Sequence, residues 1–171
     1  MTKEELKEKF KNELVKRRLE FIQNEVMNSK EKDQATTMVM RVISNYASVG
    51  KDVSSPKALK INKNISEAAF NALNKSIKIN EWVKLVTNEH QMPLNETWKK
   101  FIEESRKNLT LEFIWEHFIN NPMVTVLKSE DKKLNELGYK DKGLPDERYN
   151  AANIKRKILS STPEMYWKDN Q

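Results

Sequence analysis

Residues 82–94 read Trp-Val-Lys-Leu-Val-Thr-Asn-Glu-His-Gln-Met-Pro-Leu, and this stretch decides the fold. Trp82, Val83, Leu85, Val86 and Thr87 are β-branched, aromatic or aliphatic in a short run, which predicts a strand over 82–87. The strand is expected to continue through Asn88, Glu89 and His90, and Pro93 ends any hydrogen-bonded ladder. A second β-rich run follows at Met123–Leu127. Between the two runs the apolar period becomes helical, over 94–107 (Trp98, Phe101, Ile102) and 111–119 (Phe113, Ile114, Phe118). Asn120, Asn121 and Pro122 break the second helix. Downstream, Ser129 is placed to cap a short helix that Gly138 ends, and a polar helical stretch is expected near Arg148 to Leu159.

Upstream the chain reads as helical. Leu6, Phe10, Leu14, Leu19, Ile22 and Val26 make one stripe over 2–28, with Thr2 and Glu5 spaced as a capping box. The cluster Asn28, Ser29 and Lys30 is the expected end of that helix. A second helix spans 33–49 with Met38, Val42, Ile43 and Tyr46 on one face, and Gly50 stops it. A loop is expected from Lys51 to Asn64, then a short helix capped by Ser66. The expected class is α+β: one mainly helical domain over 1–171 with a small two-stranded β element. Within it, 1–80 is the N-terminal helical part, 81–160 carries both strands, and 161–171 is a polar tail.

Composition removes many function classes. The 171 residues include 3 Gly and 5 Pro, too few turn residues for an all-β sandwich or barrel. There is no Cys, so disulfides, cysteine-ligated zinc and thiol nucleophiles are excluded. With 2 His a multi-histidine metal cage is excluded too. No apolar run reaches the roughly 18 residues of a membrane span, and the charged start does not read as a signal peptide, so a cytoplasmic protein is expected. Gly-rich phosphate loops and His-Glu-x-x-His pairs are missing. The net charge of +6 suits a polyanionic partner such as nucleic acid, and equally a lysine-biased coding sequence. The positive excess is densest over 51–87, with 7 Lys and 3 acidic residues. Lys57, Lys60, Lys63, Lys75, Lys78 and Lys84 are therefore the candidate phosphate contacts, or else a solvated face.

The chemistry-bearing unit is a strand ending in Glu89–His90, a second strand, and a helix opening with Ser129, Glu130 and Asp131. Phosphodiester hydrolysis needs a base to activate water, and a histidine near its usual pKa of about 6.5 is suited to that. It also needs a hard cation on the scissile phosphate. Successive strand residues point to opposite sides, so Glu89 and His90 can share a site only through a local twist. Glu89 to Leu94 (EHQMPL) resembles the first motif of the HNH, or ββα-metal, endonuclease superfamily, and Thr125 to Leu134 (TVLKSEDKKL) is similar to its second strand and metal-binding helix. The stretch 82–154 also resembles a group of bacterial and phage proteins that share the Gly138-Tyr139-Lys140 turn, Pro145, Arg148-Tyr149 and Ile154.

The resemblance implies a Mg²⁺- or Mn²⁺-dependent nuclease, or a degenerate nucleic-acid-binding relative, in restriction, defence or phage biology, with DNA the favoured partner. It implies Glu89 as metal ligand, His90 as general base and Asp131 as second ligand, with Glu130 or Asn135 as substitutes. Asp131 and Asn135 stand one turn apart on a helix face. No His lies on that helix, where the superfamily usually closes its motif with His or Asn.

Structural roles compete for the same residues. His117 between Trp115 and Phe118 reads as a buried structural histidine, and Trp82, Trp98 and Trp115 as core. Glu130 and Asp131 favour a helix N-terminus with or without metal. Tyr166 and Trp167 either dock on the domain or meet a partner. The rival function is a small non-enzymatic protein that inhibits or regulates a nucleic-acid-processing enzyme, of the kind phages and mobile elements encode. A helical oligomerisation module built on the first helix is a further alternative.

Overall fold

The computed structural model describes residues 12–29 and 31–170. Thr2, Glu5, Leu6, Phe10 and Lys30 lie outside the described residues. Helix α1 spans Glu13–Asn28, and the Asn12 side chain accepts hydrogen bonds from the Leu14 and Val15 N–H groups at its start. Helix α2 spans Gln34–Val49, capped by Asp33 and ended by Gly50 at φ 77°. That left-handed turn is where glycine avoids a Cβ clash. Helices α3 (Ser55–Ile61), α4 (Glu67–Lys75) and α5 (Ile79–Leu85) follow, with strand β1 (Asn64–Ser66) between α3 and α4. Strand β2 is Val86–His90, and α6 (Leu94–Ser105) and α7 (Leu111–Asn120) lead to β3 (Met123–Leu127). The chain closes with α8 (Lys128–Glu136), α9 (Pro145–Ala152), β4 (Arg156–Ile158) and α10 (Pro163–Asp169).

The class is α+β and mainly helical. The sheet, however, has four strands in the order β2-β3-β1-β4 where two were expected. β2 and β3 pair antiparallel from Val86↔Leu127 to His90↔Met123, β1 runs parallel to β3 through Ile65↔Thr125, and β4 runs antiparallel to β1. Three-residue strands such as β1 and β4 are too short to show a period of two, so their sequences carry no strand signal. The loop expected over 51–64 contains α3, which Pro56 opens from within its first turn. The polar stretch after Arg148 divides into α9 and β4 rather than one helix.

The expected strand start at 82–85 is helical instead. Trp82 is fully buried, and its indole N–H donates to the Ala69 carbonyl oxygen at 2.8 Å. Packing against Leu73, Ile65 and Leu159 in one apolar cluster outweighs the β preference of Trp82 and Val83. Strand begins only at Val86, where the ladder to β3 starts.

Three apolar clusters hold the molecule. The largest joins Leu19 and Ile22 of α1, Met40 and Ile43 of α2, Phe101 of α6 and Trp115 of α7. The second lies under one sheet face around Ile65, Trp82 and Val86. The third lies on the other face, where Val124 and Val126 meet Leu134, Tyr149 and Ile154. The tail docks on the domain: Trp167 donates its indole N–H to the Ser76 carbonyl oxygen at 3.0 Å, and the Tyr166 ring centroid lies 5.1 Å from that of Phe70. No helix among the described residues is long and apolar enough to cross a membrane.

Candidate functional site

β2 is an edge strand, and its C-terminal end carries the expected pair. Alternation sends the two side chains to opposite faces of the sheet. Glu89 goes to the face covered by α8 and α9. His90 goes to the face against α2, where its Nδ1 lies 3.2 Å from the Ser44 hydroxyl.

Glu89 is buried and fully engaged. One carboxylate oxygen accepts from the Arg148 guanidinium at 2.5 Å and the other from the Tyr149 hydroxyl at 2.6 Å. Arg148 also donates to the backbone oxygens of His90 (2.8 Å), Gln91 (2.9 Å) and Tyr139 (3.1 Å). The arginine therefore ties the end of β2 to α9 and to the turn after α8. Gly143, at φ 90°, allows this closure, because a Cβ there would sit 2.8 Å from the Tyr139 ring and 3.0 Å from the Arg148 stem. Burial pushes the Glu89 carboxyl up from its usual range, and Arg148 and Tyr149 pull it back.

His90 is half-buried, and its Nε2 makes no hydrogen bond among the described residues. Its pKa falls from 6.5 to about 4, chiefly through burial and further through the charges of Arg41, Arg148 and Lys32. The ring is thus neutral at pH 7. If Nδ1 holds the proton toward Ser44, Nε2 presents its lone pair.

A cavity of about 260 Å³ wraps the edge at this point, and Glu89, His90, Asp131 and Asn135 all line it. The edge position of β2 brings Glu89 and His90 to one cavity from its two sides without a twist. Lys32, Arg41 and Lys140 also line it, facing the carboxylates Asp131 and Asp141. Asp131 is half-buried and accepts no hydrogen bond among the described residues. Burial raises its pKa, while Arg148 and Lys140 lower it. Burial and Arg41 hold the Lys32 ammonium below its usual pKa, and Asp141 opposes them.

The other expected residues stand elsewhere. Glu130 caps α8: its carboxylate accepts from the Leu127 N–H at 2.8 Å and the Ser66 hydroxyl at 2.6 Å. None of Lys57, Lys60, Lys63, Lys75, Lys78 and Lys84 lines the His90 cavity, and Lys63 lines a separate groove. His117 is buried against the Thr97 hydroxyl at 3.1 Å and has a pKa lowered to about 4, chiefly by burial. Sequence reading missed Lys32, Arg41 and Asn88 as lining residues. No motif marks them, and only the packing of α2 against β2 places Arg41 there.

No group of three or more His, Asp or Glu side chains among the described residues is arranged to hold a metal ion. Both Glu89 oxygens are committed, so the expected first ligand is occupied by protein. Asp131 and Asp141 are the lining carboxylates that accept no hydrogen bond among the described residues. Mg²⁺ is often bound by one or two carboxylates, several waters and a substrate phosphate, and Asp131 fits that limited role.

No protein-family model, curated protein or solved structure matches the chain.

Proposed function

We propose that this chain is an HNH-like phosphodiesterase that acts on nucleic acid at the cavity around His90. The observation that carries the reading is the meeting of a neutral, half-open His90, an uncommitted Asp131 and the cations Lys32, Arg41 and Lys140 around one small cavity. A phosphodiester fits this set. The cations draw in its charge, and Nε2 of His90 takes a proton from water, as a weaker base than an ordinary histidine because its pKa is lowered to about 4. Asp131 would hold a Mg²⁺ or Mn²⁺, which when bound supplies charge stabilisation at the phosphate. Arg148 positions His90 by fixing the backbone at residues 90 and 91.

The test is nicking of supercoiled DNA with Mg²⁺ or Mn²⁺. Cleavage is expected in the wild type and lost in His90→Ala with an unchanged circular dichroism spectrum. Undiminished cleavage by that variant overturns the assignment. A second reading, a non-cleaving nucleic-acid-binding relative, is favoured by the commitment of Glu89 to Arg148 and Tyr149. It predicts oligonucleotide binding that Lys140→Glu weakens, with no nicking under any divalent cation.

A further inference from the structure

Behind the Arg148–Tyr149 wall lies a second opening, a groove of about 940 Å³. It runs along the sheet face that carries Asn64, Val124 and Arg156. The exposed Ile158 and the half-buried Ile61 and Pro122 give it accessible apolar lining over a buried floor of Ile119, Val124 and Ile154. Lys51, Lys63, Lys155, Arg156 and Lys157 are its cations, the last resting on the Phe70 ring. Asp146 is the acidic residue among its lining groups, and it is already bonded to Arg156 at 2.8 Å. Lys63 donates to the Ser160 carbonyl oxygen at 2.8 Å, whereas Lys51 and Lys155 are exposed with no side-chain partner among the described residues. The Arg156 guanidinium lies 5.2 Å from the Tyr149 ring centroid, which displays a flat cation beside the groove.

We propose that this groove binds a single strand of nucleic acid, with phosphates on Lys51, Lys63 and Lys155 and bases against the apolar lining. The charge requires a polyanion. The apolar lining selects among polyanions, because the bases of a duplex face each other and leave only phosphates to touch, whereas single strands are held by a cationic track together with surfaces for unstacked bases. The size falls within the roughly 300–1,000 Å³ of ligand sites. The groove also adjoins the His90 cavity: Gln91 and Tyr149 line the groove, Gln91 follows His90, and the Tyr149 hydroxyl rests on Glu89. The inference stands on the groove itself and does not rest on cleavage at His90.

Fluorescence anisotropy with a labelled thymidine 20-mer, its abasic counterpart and a duplex of the same length tests it. The full-length protein is expected to bind the thymidine strand about tenfold or more tighter than the other two. The double variant Lys51→Glu/Lys155→Glu should lose at least about tenfold on the thymidine strand. Substituting two phosphate-contacting lysines should also flatten the salt dependence by about 1.4 log units per log unit, at roughly 0.7 per contact. Both lysines are exposed, so the fold is expected to survive, which circular dichroism checks. Equal affinity for thymidine and abasic strands overturns the proposal. So do equally tight duplex binding, unchanged affinity in the double variant, and no binding by the wild type. Lys140→Glu separates the two sites. Loss in that variant with a silent groove variant places nucleic acid at the His90 cavity alone and overturns the groove. Loss in the groove variant with a silent Lys140→Glu retains the groove and removes the cavity.

Discussion

Glu89 and His90 are neighbours in the chain, yet they live in opposite environments. Glu89 faces the α8–α9 side, where an arginine and a tyrosine take both of its oxygens. His90 faces α2, and its Nε2 makes no hydrogen bond among the described residues and lines open space. One residue of offset on an edge strand therefore separates a group that holds the fold from a group free to react. Acid–histidine adjacency in a sequence says that both groups reach one strand end. It does not say that both do chemistry there.

The largest expected break of this contrast is on the closed side. Arg148→Ala leaves Glu89 buried beside an empty space, and removing one partner of a buried pair costs about 3–5 kcal/mol. Urea denaturation should show that loss. The double variant Glu89→Leu/Arg148→Met should recover much of it, since apolar replacement of both partners removes the uncompensated charge. A double variant as unstable as Arg148→Ala would show that the backbone ties to residues 90, 91 and 139 carry most of the effect.

Acid tests the open side. His90 and His117 both have folded pKa values of about 4, below the usual 6.5. Between those values the unfolded chain binds more protons, so stability falls as pH drops from about 6.5 through about 4 and is flat with respect to these groups above that window. At pH 5 the loss reaches about 2 kcal/mol per histidine at most. Urea midpoints at pH 7 and pH 5 measure that loss net of the opposite contribution of Glu89 and Asp131, whose raised folded pKa values favour the folded state as pH falls. His90→Gln should remove only the His90 share. NMR titration of the two imidazoles assigns each share. Imidazole titrations near 6.5 for both rings would contradict their lowered pKa values.

The smallest expected effect is at the Tyr149 hydroxyl. Tyr149→Phe removes one donor from Glu89 and should cost about 1–3 kcal/mol while leaving Arg148 in place. A loss as large as that of Arg148→Ala would make the tyrosine an equal partner in the clamp.

Much of the architecture was legible because its signals are local. Asp33 and Gly50 bracket α2, and the apolar run at Met123–Leu127 is a buried strand. Trp82 misled for a local reason too: it looks like strand, and only its cluster with Leu73 and Leu159 turns it helical. Strands β1 and β4 were illegible because three residues carry no period.

The sequence by itself determined that a Glu-His pair stands at a strand end, that the helix after β3 opens with acids, and that no cysteine or histidine cage can form. Those facts follow from residue identity and short-range geometry. Tertiary structure alone decided which of these groups are free. Arg148 is 59 residues from Glu89 along the chain, and Ser44 is 46 from His90. Contacts that distant leave no periodicity in the sequence, because packing and electrostatics choose the partners only once the sheet edge, α2 and α9 have met.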